Sequence, residues 1–404
     1  MTVDILPSRA RGAVSAPPSK SMAHRMLICA ALSSGTSTVR GISDCEDVRA
    51  TLDCMHALGI RTEIVGDTVT VFGTDITAVS PRAPLECRES GSTLRFLIPI
   101  ALMTGKTVML HGAPSLMSRP MSVYEQLCRE KGLSFIADGE SITVKGPLRG
   151  GDFYVVGNIS SQFISGLLFA LPLLKKSSRI IIAPPVESRS YIEMTLQALR
   201  MFGIDVVWED EFTLYVKGNQ AYSATDVTVE GDWSGAAFID ALGLFGDGVT
   251  VEGLNSNSIQ GDRIYKKYFE MLDKGLPTLH IGNCPDLGPI LFAVAAAKNG
   301  GIFSGTKRLK IKESDRAVAM AKELKKFGAS VTVYEDKVVV YPADFHKPTE
   351  PLLGHNDHRI VMSLSVLATL TGARIEGAEA IAKSYPAFFE HLRTLGIEVK
   401  EYDN

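Results

Sequence analysis

One local pattern recurs six times along this chain: an amphipathic helix that ends at a glycine and is followed by alternating apolar and polar residues. In the first half it reads TLDCMHALGIRTEIVGDTVTVFG, VYEQLCREKGLSFIADGESITVKG and MTLQALRMFGIDVVWEDEFTLYVKG, and the second half repeats it less evenly. The helix-ending glycines are Gly59, Gly132, Gly203, Gly275, Gly328 and Gly396. Each is expected to cap its helix in the left-handed conformation, and the alternating residues predict strands with one buried face. The pattern therefore predicts six similar units, three in each half of the chain.

A second type of helix lies between these units and is apolar nearly all round beyond its first turn. It occurs as SKSMAHRMLICAALSSG, ESGSTLRFLIPIALMTG, NISSQFISGLLFALPLL, GDWSGAAFIDALGLFG, CPDLGPILFAVAAAKNGG and NDHRIVMSLSVLATLTG. These helices are expected to be buried. Any single Ser or Asp in their polar first turns is also explained as an N-cap. Several first turns carry Lys or Arg, which the helix dipole disfavours, so the set predicts a site for an anionic ligand at parallel helix N-termini.

The composition indicates a two-domain protein of 404 residues, of which 45% are hydrophobic. With 42 basic and 45 acidic side chains the formal net charge is −3, so neither nucleic acid nor a membrane is an expected partner. The six cysteines form no metal-binding pattern and are expected to be reduced thiols, which favours the cytoplasm. The first twenty residues do not resemble a signal peptide, and no apolar run is long enough to span a bilayer. We therefore expect a soluble monomer.

Seven short segments combine small polar residues with cations near expected helix starts. They are PPSKSMAHR (17–25), ESGSTLR (89–95), SRP (118–120), SSQF (160–163), IKESDR (311–316), NDHR (356–359) and AKSYP (382–386). Each alone is also explained by helix capping or by a solvated run of charges. Together and in this order they resemble the EPSP synthase (3-phosphoshikimate 1-carboxyvinyltransferase) family, from about residue 5 to about residue 395. KESDR and NDHR form the most discriminating pair.

The resemblance implies a mixed α/β (α+β) fold of two similar domains, each with three βαβαββ repeats and buried parallel helices, an inside-out α/β barrel. The first domain is then discontinuous and comprises residues 1–17 and 229–404, and the second comprises residues 18–228. The active site is expected in the cleft between these two domains. The six repeats found from the residues themselves agree with this arrangement.

The implied activity is transfer of the enolpyruvyl group of phosphoenolpyruvate to the 5-hydroxyl of 3-phosphoshikimate. The products are 5-enolpyruvylshikimate 3-phosphate and phosphate, formed by addition and elimination in the shikimate pathway of aromatic amino-acid biosynthesis. By the same resemblance the reaction needs neither a metal nor an organic cofactor. The two small-molecule substrates are the expected partners.

The resemblance also assigns roles to individual residues. The catalytic set is Lys20, Asp286, Lys312, Glu313 and His358. The 3-phosphoshikimate set is Lys20, Ser21, Arg25, Ser160, Ser161, Gln162, Ser188, Tyr191, Asp286 and Lys312. The phosphoenolpyruvate set is Lys20, Gly91, Arg119, Gln162, Arg316, Arg359 and Lys383. In these roles Asp286 takes the proton of the 5-hydroxyl, and Glu313 donates a proton to the methylene carbon of the enol.

Two positions depart from the family pattern. Glu89 stands where the family usually has Asn, and a carboxylate beside an anionic ligand needs a cation, for which Arg88 and Lys20 are the candidates. Arg308 stands where some members have Asn, four residues before the catalytic Lys312. The contact of that position with the shikimate phosphate is therefore in question.

Two other functions compete with this hypothesis. UDP-N-acetylglucosamine enolpyruvyl transferase shares the repeat fold, but it typically has a reactive Cys before the SRP-like arginine and lacks the KESDR and NDHR pair. Here the corresponding stretch is HGAPSLMSRP, without Cys. A non-catalytic anion-binding repeat protein would need the cations but not the carboxyl pair of Asp286 and Glu313. Substrate-dependent release of phosphate distinguishes an enzyme from such a binder.

Overall fold

The computed structural model describes residues 1–402 of the chain. Its α-helices are α1 (Lys20–Leu32), α2 (Glu46–Ala57), α3 (Gly91–Met103), α4 (Pro114–Met117), α5 (Ser122–Lys131), α6 (Ser161–Ala170), α7 (Arg189–Met201), α8 (Trp233–Gly243), α9 (Tyr265–Lys274), α10 (Gly288–Ala297), α11 (Arg316–Lys326), α12 (His358–Thr371) and α13 (Phe388–Thr394). Short 3₁₀ turns cover Leu171–Leu173, Gly261–Ile264, Pro285–Leu287, Lys307–Ile311 and Ala378–Lys383.

The β-strands are short and lie between these helices. They are β1 (Thr2–Ile5), β2 (Gly12–Ser15), β3 (Ser33–Arg40), β4 (Arg61–Val65), β5 (Thr68–Gly73), β6 (Leu85–Glu86), β7 (Thr107–His111), β8 (Ser134–Ala137), β9 (Ser141–Lys145), β10 (Asp152–Val156), β11 (Ser178–Ala183), β12 (Val206–Trp208), β13 (Thr213–Val216), β14 (Tyr222–Ser223), β15 (Val227–Thr228), β16 (Val249–Glu252), β17 (Thr278–His280), β18 (Gly301–Ser304), β19 (Val331–Val333), β20 (Lys337–Val340), β21 (Leu352–Leu353), β22 (Ala373–Glu376) and β23 (Val399–Tyr402).

Two compact units, each with its own hydrophobic core, make up the chain. The discontinuous unit contains Met1–Ser19 and the chain from Glu230 onward, and the continuous unit contains Lys20–Val229. The buried apolar side chains form two separate clusters that follow this division. Each unit is therefore large enough to be stabilised by a core of its own.

Three sheets of similar topology build the continuous unit. Their strand orders are β6-β7-β9-β8, β10-β11-β13-β12 and β14-β3-β5-β4, and β15 also pairs with β3. In each sheet the first pair is parallel and the last pair is an antiparallel hairpin. The chain order is βαβαββ, except that one sheet takes its first strand from β14 and β15 at the end of the unit.

The discontinuous unit repeats this topology with two modifications. The sheet β17-β18-β20-β19 has the same order and the same pairings. The sheet β21-β22-β1-β23 uses the N-terminal strand β1 as its inner antiparallel strand. The third sheet contains only β2 and β16, which are parallel. The expected α/β fold of repeated βαβαββ units is thus confirmed, with one repeat shortened.

The six apolar helices predicted from the sequence are α1, α3, α6, α8, α10 and α12. Nearly every residue of these helices is buried. The side chains of Ser90, Ser160, Asp232 and Asp357 accept hydrogen bonds from backbone N–H groups at four of the helix starts. Within residues 1–402, no α-helix has the length and apolar character that a membrane crossing requires.

Most of the predicted helix-ending glycines adopt the left-handed conformation. The φ angle is 88° at Gly59, 65° at Gly132, 78° at Gly203, 98° at Gly328 and 82° at Gly396. The prediction is wrong for Gly275, whose φ of 170° is extended. The reason is topological, because α9 is followed by β17, which pairs in parallel with β18 of the next repeat instead of forming an antiparallel hairpin. The chain leaves α9 without the reversal that a left-handed cap provides.

Candidate active site

The starts of four helices meet in the discontinuous unit. Asp286 precedes α10, Arg316 begins α11, and Arg359 and Ser234 are the second residues of α12 and α8. The Nη1 of Arg359 donates to Ser234 Oγ at 2.7 Å, and its Nη2 donates to Asp286 Oδ2 at 3.1 Å. The Nη1 of Arg316 donates to Asp286 Oδ1 at 2.8 Å. The Asp286 cluster is defined here as Asp286, Lys312, Arg316, Asp357 and Arg359.

Asp286 accepts hydrogen bonds from three cationic side chains. Besides the two arginines, the Nζ of Lys312 lies 3.1 Å from its Oδ1. Burial would raise the pKa of Asp286, but the charges of Arg359, Lys312 and Arg316 outweigh burial and hold that pKa well below its usual range. Burial also lowers the pKa of Lys312 to about 8, although the charge of Asp286 opposes this. An anionic ligand that drew these cations away would make Asp286 a stronger base.

Asp357 caps α12 and orients the side chain of Arg316. It is fully buried and caps α12 by accepting the backbone N–H of Arg359 at 3.0 Å. It also forms a bidentate pair with Arg316, whose Nε and Nη2 lie 2.8 Å and 3.2 Å from the two carboxylate oxygens. A bidentate pair fixes the plane of a guanidinium group. The Nη1 of Arg316 is thereby aimed at Asp286.

Glu313 and His358 form a second acid–base pair beside this cluster. The Nδ1 of His358 lies 2.9 Å from Glu313 Oε2, and the imidazole is 1% exposed. Ligand atoms of Glu313, Asp357 and His358 also lie within 4.8 Å of one another, as in a metal site. However, the Asp357 carboxylate is already bound by the cationic Arg316, which would repel a metal ion. Glu313 and His358 are therefore better placed to serve as an acid and its neighbouring base than as ligands of a metal ion.

In the continuous unit, the starts of α3 and α6 form a second polar site. The Nη1 of Arg95 donates to Gln162 Oε1 at 2.7 Å, and Gln162 Nε2 donates to Ser92 Oγ at 2.9 Å. A Cβ atom on Gly91 would lie 3.1 Å from the Nη1 of both Arg119 and Arg95. Among the described residues, the buried Nε and Nη2 of Arg119 have no hydrogen-bond partner. Buried donors of this kind are costly without an acceptor, so Arg119 is well suited to bind an anion.

Lys20, the first residue of α1, is paired with a carboxylate. Its Nζ donates to Asp47 Oδ2 at 2.7 Å, and both side chains are mostly buried. Behind this pair, His24 Nδ1 lies 2.8 Å from Thr51 Oγ1, which lies 2.7 Å from Thr93 Oγ1. Burial lowers the pKa of His24 to about 3, so this imidazole is neutral. It supports the helix packing and carries no charge toward a ligand.

Arg25 links α1 to α7 within the continuous unit. Its guanidinium donates to Thr195 Oγ1 at 2.9 Å, to the Ser21 carbonyl at 2.6 Å and to the Tyr191 carbonyl at 3.0 Å. Burial lowers the pKa of Arg25 to about 10, so it stays charged. Three of its five N–H groups are therefore used within the protein, and its role as a substrate ligand stays a prediction.

The serines predicted to bind 3-phosphoshikimate lie at helix starts. Ser160 caps α6 by accepting the N–H of Gln162 at 3.3 Å, and Ser161 is the first residue of that helix. Ser188 precedes α7, is buried and has a positive φ of 54°. A left-handed serine is uncommon, so the backbone at this position is held by its surroundings.

Lys383 and Arg308 are both buried in the discontinuous unit. The Nζ of Lys383 donates to the carbonyl of Asn356, next to the NDHR segment. The Nη1 of Arg308 donates to the carbonyl of Gly282 at 3.4 Å. Burial is the main cause that lowers the pKa of Lys312, the charge of Asp286 raises this pKa, and the charge of Arg308 lowers it further. Arg308 therefore acts on the candidate catalytic lysine electrostatically.

Glu89 accepts a hydrogen bond from Ser115 Oγ at 3.3 Å. Arg88, one of the two cations proposed to pair with it, instead pairs with Glu46 and Asp53. The left-handed φ of 51° at Arg88 accompanies this orientation. Of the two candidate cations, Arg88 is thus engaged elsewhere, and a pairing of Glu89 with Lys20 stays a prediction.

Several side chains that contact the predicted site residues had no role in the sequence analysis. Asp357 lies within the NDHR segment, and the four consecutive polar residues of that segment were the sequence feature that could have indicated a role for it. Ser234 and Asp47 lie in ordinary first turns, where a serine or an acid is explained by capping or by the helix dipole. Only packing reveals that Ser234 contacts Arg359 and that Asp47 contacts Lys20.

Comparison with known proteins gives consistent matches over almost the whole chain. A family model described as EPSP synthase (3-phosphoshikimate 1-carboxyvinyltransferase) matches residues 6–392. The 3-phosphoshikimate 1-carboxyvinyltransferase of Clostridium kluyveri is 37% identical over 99% of this chain and 98% of its own length. The protein of the same name from Clostridium perfringens (strain ATCC 13124) is 38% identical and covers 98% of each chain.

Solved structures share the fold. The EPSP synthase from Acinetobacter baumannii superposes with a TM-score of 0.80 and 25% identity, over 99% of this chain and 100% of that one. The enolpyruvyl transferase NikO from Streptomyces tendae superposes with a TM-score of 0.79 over 99% and 98% of the two chains. At 16% identity, this second likeness concerns the fold alone.

Proposed function

The chain belongs to the EPSP synthase family, and from this membership we propose that it transfers the enolpyruvyl group of phosphoenolpyruvate to the 5-hydroxyl of 3-phosphoshikimate. The observation that carries the proposal is the Asp286 cluster, in which one carboxylate accepts from three cations beside the Glu313–His358 pair. A protein that only binds anions would need the cationic side chains but not the carboxyl groups of Asp286 and Glu313. Two carboxyl groups in different settings suit an enzyme that moves protons in two directions.

In the addition step, the mechanism assigns one proton transfer to each carboxyl group. Asp286 accepts the proton of the 5-hydroxyl while that oxygen bonds to C2 of phosphoenolpyruvate. Glu313, with His358 2.9 Å away, donates a proton to the methylene carbon, which becomes a methyl group. The Glu313 carboxylate then takes a proton back from that methyl group, the carbon–carbon double bond forms again, and the C2–O bond to phosphate breaks. The products are the enol ether and inorganic phosphate, and each acid or base step contributes about 10²–10⁴ in rate.

The cationic side chains of the site can neutralise the charge of two polyanionic substrates. Before a substrate arrives, Arg316 and Arg359 are bound to Asp286 at 2.8 Å and 3.1 Å. A carboxylate or phosphate of the substrate can replace Asp286 as their partner, since arginine binds both groups in bidentate fashion. Arg119 contributes buried N–H groups, and Gly91 leaves the space beside it open. We propose that Lys383 and Gln162 complete the phosphoenolpyruvate contacts.

The remaining assignments extend the proposal. We propose that Lys20, Ser21, Arg25, Ser160, Ser161, Gln162, Ser188, Tyr191, Asp286 and Lys312 bind 3-phosphoshikimate. Residues 18–228 and the discontinuous domain of residues 1–17 and 229–404 would then both supply ligands to the same pair of substrates. We further propose that the protein works as a monomer in the cytoplasm. Its six buried, unpaired thiols suit the reducing conditions of that compartment.

Release of inorganic phosphate from phosphoenolpyruvate tests this function. The purified protein is incubated with phosphoenolpyruvate alone, with added 3-phosphoshikimate, or with added UDP-N-acetylglucosamine. The proposal expects release only with 3-phosphoshikimate, in equal amount to the enolpyruvyl product. Release with UDP-N-acetylglucosamine instead would favour the sister activity. Binding of both substrates without release would favour a non-catalytic binder.

A further inference from the structure

Glu323 is a buried carboxyl group of α11 to which neither the sequence nor the mechanism gives a task. It is 1% exposed, and a carboxyl group at this depth is costly unless hydrogen bonds compensate for its burial. Its partners are His355, Lys326 and the backbone N–H of Leu353. Burial would raise the pKa of Glu323, but the hydrogen bonds from these three donors outweigh burial and hold that pKa below its usual range. Glu323 is therefore a carboxylate at neutral pH.

These contacts bind the chain that leads into α12. Glu323 Oε2 accepts the backbone N–H of Leu353 at 3.0 Å, and Glu323 Oε1 lies 2.8 Å from His355 Nε2. Since a carboxylate can only accept, His355 carries a proton on Nε2. The Nζ of Lys326 lies 2.8 Å from Glu323 Oε2 and donates to the carbonyl of Pro351, also at 2.8 Å. The segment of residues 351–357 is thus attached to α11 at three positions.

The backbone at the end of this segment has an unusual conformation. The φ angle is 51° at both His355 and Asn356, in the left-handed region that residues other than glycine rarely adopt. Residues of this kind persist only where their surroundings fix them, and they concentrate at functional sites. The hydrogen bond to Glu323 fixes the imidazole of His355. The N–H of Asp357 closes the turn by donating to the carbonyl of Gly354 at 2.9 Å.

The same turn carries acceptors for two cations of the site. The carbonyl of Asn356 accepts from the Nζ of Lys383, and the carboxylate of Asp357 accepts from Arg316 Nε at 2.8 Å. Asp357 also caps α12, whose second residue is Arg359. A displaced turn would therefore move the acceptors of Lys383 and Arg316 and the start of the helix that carries Arg359. These three cations belong to the proposed phosphoenolpyruvate set, and no residue of the proposed 3-phosphoshikimate set lies in the 351–357 segment.

We propose that Glu323 is a positioning residue of the transfer reaction, which holds the 351–357 segment on α11 and thereby places Lys383, Arg316 and Arg359 for phosphoenolpyruvate. The proposal rests on the proposed function, since that function makes phosphoenolpyruvate the ligand of these cations. Glu323 acts through His355 and Leu353 and takes no part in the proton transfers. Its loss should therefore weaken the use of one substrate selectively.

The test compares KM for each substrate in the wild type, Glu323→Ala, Glu323→Gln and His355→Ala. In Glu323→Ala, KM for phosphoenolpyruvate should rise about tenfold, equivalent to about 1.4 kcal/mol, while KM for 3-phosphoshikimate stays within about twofold. His355→Ala removes one of the contacts and should raise the same KM by about threefold.

Glu323→Gln is the conservative variant. The glutamine oxygen can accept the N–H of Leu353, and its amide can donate to His355 Nε2 once the imidazole proton has moved to Nδ1. This variant should therefore recover most of the loss seen in Glu323→Ala. A smaller fraction of folded protein would lower the apparent kcat of any variant but would leave KM unchanged, so KM separates positioning from stability.

Amide hydrogen exchange of the proteins without substrate gives a measurement that does not depend on turnover. In Glu323→Ala the amides of residues 353–359 should exchange about tenfold faster than in the wild type, because the turn opens locally. The amides of α10, which Glu323 does not hold, should exchange at the wild-type rate.

Asp240→Ala is the matched control. Asp240 is also a largely buried carboxylate of the discontinuous unit, but it pairs with Tyr265 and Lys266. This control should leave KM for phosphoenolpyruvate unchanged even if the thermal stability falls.

Three outcomes would overturn the reasoning at different levels. Absence of wild-type turnover with both substrates would refute the proposed function and this inference with it. Normal wild-type turnover, with an unchanged KM for phosphoenolpyruvate and unchanged exchange of residues 353–359 in folded Glu323→Ala, would refute the role of Glu323 alone. An equal rise of both KM values in Glu323→Ala, without recovery in Glu323→Gln, would mean that Glu323 only stabilises the fold.

Discussion

In the Asp286→Asn variant, the side chain keeps its shape and one acceptor oxygen but loses its charge and its basicity. The wild-type carboxylate accepts from Lys312 at 3.1 Å, from Arg316 at 2.8 Å and from Arg359 at 3.1 Å. If Asp286 is the base that takes the proton of the 5-hydroxyl, kcat should fall by about 10²–10⁴. The reason is that an amide oxygen is too weak a base to accept this proton.

Substrate binding should survive the same change. Two unit charges about 4 Å apart interact by about 4 kcal/mol at an effective dielectric constant of 20, and attraction of this order holds each arginine on Asp286. Without the carboxylate, Arg316 and Arg359 no longer have to leave an internal partner when a substrate anion arrives. The affinity for phosphoenolpyruvate should therefore be equal or higher, and that for 3-phosphoshikimate should change by no more than about threefold.

The charge of Asp286 also raises the pKa of Lys312 against burial, so the variant is best compared with the wild type at pH 6.5, below the wild-type pKa of about 8. Turnover is followed by phosphate release at saturating substrates, and affinity is measured by calorimetry. Asp240→Asn is the control, because Asp240 lies in the same unit and pairs with Tyr265 and Lys266. More than about a tenth of wild-type turnover in folded Asp286→Asn would refute the assignment of the base.

Further predictions concern the neighbouring residues. Glu313→Gln should lower kcat by about 10² or more, because the acid that protonates the methylene carbon is lost, while the affinity for 3-phosphoshikimate should change little. Rapid kinetics in which this variant still protonates the methylene carbon would contradict the role of Glu313. Since Lys312 is charged below its pKa of about 8, kcat/KM should fall as the pH rises through 8, and Lys312→Arg should move that fall to higher pH. Identical pH profiles for these two proteins would exclude Lys312 as the titrating group. In Gly91→Ala the added Cβ would lie 3.1 Å from the guanidinium groups of Arg119 and Arg95. KM for phosphoenolpyruvate should therefore rise about tenfold. A rise of KM for 3-phosphoshikimate alone would argue against a phosphoenolpyruvate site beside Gly91.

Much of the fold could be predicted from the sequence because the signals are local. The burial of α3 and α12 follows from apolar residues on all sides, and the left-handed caps at Gly132 and Gly203 follow from the end of an amphipathic pattern. Gly275 has the same local pattern, yet it is extended because the hairpin after α9 is missing. A local sequence pattern cannot indicate that this hairpin is missing, because its absence depends on which sheet the next strand joins.

The residue types of the site were likewise readable from short segments, because KESDR and NDHR place cations and acids at helix starts. Their pairing was not, because it joins distant positions. Arg316 and Asp357 are 41 residues apart, and Arg359 and Ser234 are 125 apart. The local sequence is therefore sufficient to predict which helices are buried and which charged groups begin them. Tertiary packing alone decided which charges neutralise each other, because ion pairs depend on distances of a few ångströms that no local pattern encodes.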